Sequence, residues 1–110
     1  MERKNAWTTY DAAEAEKLEK INADYKNCLD AGKTERECIQ LTVKRIEEQG
    51  YRNIKDIIKS GEKVKAGDKI YAVCMNKTIA IFHMGTKPLE EGMNILGAHI
   101  DSPRIDVKQN

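Results

Sequence analysis

The hydrophobic period of this chain changes once, near residue 62, and that change decides which folds are open to it. Before it, apolar residues return every third and fourth position, as on one face of a helix. After it, they are β-branched or aromatic and come in short runs. Residues 1–62 are therefore expected to be helical and 63–104 to supply strands. From Thr9 to Ala31, Leu18, Ile21, Tyr25 and Cys28 or Leu29 form an apolar stripe between Glu14, Glu16, Lys17, Glu19, Lys20 and Lys26. Thr8 or Thr9 is expected to cap this helix, Asp11 and Glu14 suit the positive end of its dipole, and Gly32 reads as a left-handed stop. Thr34-Glu35-Arg36-Glu37 has the form of a capping box and opens a second helix running to about Gln49. Ile39, Val43 and Ile46, with Cys38, Leu41 and Thr42, make its buried stripe, and Gly50 ends it. Joined through Gly32-Lys33, the two helices should pack as an antiparallel hairpin. A short third helix, roughly Ile54 to Lys59, is expected between Asn53 as cap and Ser60-Gly61.

Beyond Lys63, two β-type runs flank Asn76-Lys77, which predicts a hairpin of Lys69–Met75 with Thr78–Met84. Asn76 tolerates the positive φ of a tight turn, but Lys77 is a poor stand-in for glycine, so a longer or bulged turn stays open. Gly85 to Gly92 reads as a surface loop, and a third strand, Asn94 to Ile100, follows it. Ile95, Leu96, Ala98 and Ile100 make that strand apolar on both faces, as in central strands covered on both sides. Such a strand wants more neighbours than this sequence supplies, so self-association or marginal stability is expected of the chain by itself.

With 110 residues, 40% apolar and 34% charged, the chain has room for one core. Nineteen basic against eighteen acidic side chains leave a net charge of +1, so no one-signed field draws nucleic acid or an anionic membrane. No apolar run approaches the ~18 residues of a membrane span, and no leader-like apolar stretch opens the chain. Three cysteines, an odd number without a C-x-x-C pair, point to a reducing compartment, hence the cytoplasm.

Chemistry concentrates at Asn94-Ile95-Leu96-Gly97-Ala98-His99-Ile100-Asp101-Ser102-Pro103-Arg104-Ile105-Asp106. On or just past a strand, residues two apart project to one face, so the imidazole of His99 and the carboxylate of Asp101 can converge at the strand's C-terminal end. Open α/β sheets place their ligands at that end. A neutral imidazole is a good zinc ligand, and a neighbouring carboxylate can fix its tautomer. On spacing alone, H-x-D is commoner as a structural pair than as a metal site.

The longer string Gly97-Ala98-His99-Ile100-Asp101-Ser102-Pro103-Arg104, led by an apolar strand and followed by Ile105-Asp106-Val107-Lys108, resembles the first metal-binding segment of the aspartyl aminopeptidase and vacuolar aminopeptidase I family, metallopeptidase family eighteen. The upstream order is similar too: a helical pair, Lys65-Ala66-Gly67-Asp68-Lys69 entering a strand, and a hairpin around Asn76-Lys77. The resemblance implies that His99 ligates one of two zinc ions and that Asp101 orients its ring. It implies further Asp, Glu and His ligands, and a Glu general base, beyond Asn110. It also implies a peptide substrate, release of N-terminal amino acids by metal-activated water, and assembly into homo-oligomers. The expected fold class is thus an α+β fragment of an α/β dinuclear-zinc exopeptidase: an N-terminal helical hairpin, a β-hairpin and a central apolar strand. Residues 105–110 would enter an inserted dimerisation domain. One plausible zinc ligand is too few, so the 110-residue chain by itself is expected to be inactive.

The remaining candidates read structurally. His83 shares parity with Ile79 and Ile81 and reads as half-buried. The cysteines, on predicted apolar faces, read as small hydrophobes, and Trp7 and Tyr10 as packing residues. The lysines from Lys55 to Lys69, interrupted by Asp56, Glu62 and Asp68, read as a solvated face, and Asp106 as a strand-end charge. The competing function is a non-catalytic α+β binding or oligomerisation module in which His99 and Asp101 form a structural pair.

Overall fold

Asp11, not a threonine, opens the first helix in the computed structural model, which describes residues 4–100 and 108. Its carboxylate accepts from the Glu14 N–H at 2.8 Å while the Glu14 carboxylate accepts from the Asp11 N–H at 3.0 Å. Two orphan donors are thereby satisfied reciprocally, which a threonine two or three residues earlier cannot do. Helix α1 runs Ala12–Ala31. Thr8 and Thr9 instead bond back to Asn5 and Ala6 and close a single 3-10 turn, Ala6–Thr8.

Helix α2, Glu35–Glu48, starts at Thr34 as the sequence predicts. The Thr34 hydroxyl accepts from the Glu37 N–H at 3.3 Å, and the Glu37 carboxylate reaches one residue further back than expected, to the Lys33 N–H at 2.9 Å. At the other end, Gly50 sits at φ 84°, with its N–H on the Glu47 carbonyl and the Tyr51 N–H on the Ile46 carbonyl. That pair of bonds is the Schellman arrangement, and it needs the left-handed residue that Gly50 provides. Lys69 donates to the Gln49 carbonyl at 3.0 Å, adding positive charge at the negative end of the helix.

Gly32 ends α1 for a different reason from the one its sequence suggests. Its φ is −106°, so it is not a left-handed stop. It is buried, and a Cβ there would lie 2.8 Å from Cys38 Sγ and 3.1 Å from the Cys28 carbonyl oxygen. Absence of a side chain lets α2 turn back closely against α1. The antiparallel pairing is tied at the far side by an ion pair of Arg45 with Asp24.

Strand β1, Arg52–Asn53, lies between the second and third helices, in the part of the chain where no strand was expected. It pairs in parallel with β2, Lys69–Cys74, through Arg52↔Ile70 and Asn53↔Tyr71. Between them runs α3, Ile54–Ser60, capped by Asn53 and ended by Gly61 at φ 71°. Strand β3, Thr78–His83, is antiparallel to β2 from Lys69↔His83 to Cys74↔Thr78, giving the order β1-β2-β3. The hairpin turn has three residues, with Met75 at φ 51° and Asn76 at φ 56°. The longer of the two turns left open by the sequence is the one formed.

Among the described residues the buried apolar side chains are Ile39 of α2, Ile57 of α3, and Ile70 and Tyr71 of β2. Ile70 and Tyr71 are consecutive on a strand and so face opposite sides, both covered. Tyr71's side carries α2, because its hydroxyl donates to the Glu47 carboxylate at 2.5 Å. Burial, and then this hydrogen bond, push the Tyr71 phenol above its ordinary pKa.

One expected element is absent. Residues 94–100 form no strand: Ile95 is 84% and Leu96 99% exposed. An apolar run becomes a central strand only where neighbouring strands and a covering layer receive it. Among the described residues nothing does so, and the periodicity of a run cannot report that.

Candidate functional site

The path to the candidate site begins at the hairpin's open end. There Gly67, at φ 86°, occupies the third position of a turn closed by the Asp68 N–H on the Lys65 carbonyl at 3.1 Å. The Asp68 carboxylate also accepts from the Lys65 N–H at 2.8 Å. The Gly67 N–H donates to the Met84 carbonyl at 2.8 Å and the Met84 N–H to the Asp68 carbonyl at 2.9 Å, so the Lys65–Lys69 string clamps the end of β3. From that clamp the chain passes Pro88, makes a 3-10 turn over Leu89–Glu91, and reaches Gly92. Gly92 has φ 102° and ψ 173°, a conformation essentially confined to glycine. It thereby sets the direction in which residues 93–100 leave the sheet.

His99 lies on this irregular segment rather than at a strand end, with its side chain exposed. Ile100, next to it, is half-buried. Asp101, Asp106 and the stretch 101–107 lie outside the described residues, so the expected convergence of His99 with Asp101 is beyond the structure's reach. Zinc in a protein site takes three or four protein donors. Among the described residues, no three of His, Cys, Asp and Glu stand close enough to share an ion. These residues do not by themselves fit a zinc site; they bring one imidazole to the surface.

Other candidates stand apart from it. His83 pairs with Lys69 at the end of β3 and is exposed rather than half-buried, because the face of β3 that it shares with the exposed Ile81 is left open among the described residues. Trp7 and Tyr10 do pack, but against each other, edge to face at 6.1 Å, and Trp7 stays 70% exposed. Cys28 and Cys38 line one cleft of about 430 Å³ between α1 and α2. The sequence offered a signal for that meeting: the two cysteines are equidistant from Lys33, in the connection between the helices.

The family model described as aminopeptidase I zinc metalloprotease (M18) matches residues 28–110. A probable M18 family aminopeptidase 1 of Clostridium acetobutylicum is 48% identical over 109 residues, 99% of this chain and 23% of the relative. A protein of the same description from Thermotoga neapolitana is 36% identical over 110 residues, again 23% of its length. Among solved structures, aminopeptidase I from Borrelia burgdorferi superposes with a TM-score of 0.82 at 30% identity, covering 96% of this chain and 25% of that one. The M18 aminopeptidase of Thermotoga maritima gives 0.77 at 32% identity, covering 94% and 21%. The chain therefore spans about a quarter of the length of the proteins it matches.

Proposed function

The chain belongs to the aminopeptidase I zinc metalloprotease family, and from that premise we propose that it forms the N-terminal part of the peptidase domain of a zinc-dependent aminopeptidase, which hydrolytically releases N-terminal amino acids from peptides. One observation carries this: the family match extends through residues 97–104, the string that contains His99 and Asp101. His99 is proposed as a zinc ligand and Asp101 as the carboxylate that receives its other ring N–H, fixing the tautomer and the ring's orientation. The exposure of the His99 side chain, on a segment aimed by Gly92, suits a donor that meets further ligands from polypeptide outside the described residues. In this chemistry zinc serves as a Lewis acid. The finer proposals are two zinc ions in each active site, a homo-oligomeric and cytoplasmic enzyme, and a division into a mainly helical region up to residue 62, a part of the catalytic sheet within 63–104 that the β2–β3 hairpin supplies, and an entry to a dimerisation domain at 105–110.

The test uses the longer protein that carries this sequence. His99→Ala should lower bound zinc, read by elemental analysis, and abolish aminopeptidase turnover. Asp101→Asn should keep the fold and lower zinc affinity or activity by about 10–100-fold. Full zinc content and unchanged turnover in His99→Ala would overturn the assignment.

A further inference from the structure

The cleft between α1 and α2 is lined by two cysteines outside the proposed metal segment. Cys28 stands one turn before the end of α1 and Cys38 one turn after the start of α2, and both line the cleft, half-buried. Both also contact Gly32: the Gly32 N–H donates to the Cys28 carbonyl at 2.9 Å, and Cys38 Sγ donates to the Gly32 carbonyl at 3.7 Å. The space a Cβ on Gly32 would need, 2.8 Å from Cys38 Sγ and 3.1 Å from the Cys28 oxygen, holds that sulfur within about 6 Å of Cys28's own backbone. Arg45, on the same cleft wall, pairs with the Asp24 carboxylate. None of the three cysteines is in a disulfide.

We propose that Cys28 and Cys38 form a thiol modification site that takes small disulfides and closes to a Cys28–Cys38 bond clipping α1 to α2. The Cys28 thiolate attacks one sulfur of the small disulfide, forming a mixed disulfide and expelling one small thiolate. Cys38, as thiolate, then attacks the Cys28 sulfur, forming the internal bond and expelling the second. The two cysteines lose two electrons, the small disulfide gains two, and the two thiol protons end on the released thiolates. Cys74, exposed at the end of β2, has no part in the site.

The experiment treats the 110-residue chain, as a Cys74→Ser variant, with oxidised glutathione, followed by trypsin and mass spectrometry under non-reducing conditions. Trypsin cuts at Lys33 and Arg36, so the linked pair appears as two peptides joined by a disulfide. The expected result is near-complete joining, at a rate at least about tenfold above that of the same chain in denaturing urea, where fold-imposed proximity is lost. Joining should raise the thermal midpoint by at least about 5 °C, since a cross-link restricts the unfolded chain. Separate glutathione adducts on Cys28 and Cys38, unreacted thiols, or equal rates with and without urea would overturn the site.

Discussion

Tyr71 shows how one side chain ties the sheet to its helical cover. Its ring is buried in β2, 3% exposed, and its hydroxyl donates to Glu47 near the end of α2. A hydrogen bond to a charged acceptor contributes about 1.5–3 kcal/mol. Tyr71→Phe should therefore lower unfolding stability by about 1.5–3 kcal/mol in urea titrations near neutral pH. The alkaline limb adds a second readout. The unfolded phenol ionises near its ordinary value of about 10, whereas the folded one holds its proton to higher pH. Stability from this site is complete below the unfolded value and is lost as pH climbs through the raised folded one. The Phe variant should lack that portion of the alkaline loss; an identical slope in both proteins would contradict the assignment.

At the scale of elements, the hairpin turn stores strain. Met75 sits at φ 51°, a region that costs a residue with a side chain about 1–2 kcal/mol. Met75→Gly removes that penalty but adds unfolded-state entropy, so a net gain of about 0.5–1 kcal/mol is expected in thermal or urea unfolding. A loss would show that Met75, 85% exposed, contributes contacts not visible in its surroundings. Elements with their own periodicity were legible in the sequence: α1, α2, α3 and the β2–β3 hairpin all form within a residue or two of their expected bounds, apart from the start of α1. The two residues of β1 were not, since Arg52–Asn53 has too few side chains for a period and is a strand only because β2 lies beside it. The same reason, reversed, removed the strand at 94–100: apolar content was legible, but a missing neighbour was not. Gly32 was legible as a helix end and not as a close approach, because one letter cannot distinguish a positive φ from a contact with Cys38. His99 is singled out by its eight-residue string alone, and the further ligands proposed for it are not among the described residues.

Taken whole, the chain is open. Its Cα radius of gyration is 19.0 Å, against about 13 Å for a compact domain of this size. Ile21 and Tyr25 on α1, Phe82 on β3, and Ile95 and Leu96 beyond Gly92 are exposed, while β1 and β3 are the outer strands of the sheet. Apolar area and uncovered strand edges promote association. The 110-residue polypeptide should bind the dye ANS and show a sedimentation coefficient that rises with concentration in the micromolar range. A concentration-independent monomer with no dye enhancement would contradict this. The pairings described also share one property: each joins near neighbours in sequence, α1 to α2 across Gly32–Thr34, β1 to β2 across α3, and β2 to β3 across three residues. Loops this short close quickly. A chain emerging from the ribosome can therefore finish these three strands before residues 94–100 leave the exit tunnel, and the histidine follows onto a platform already built to aim it.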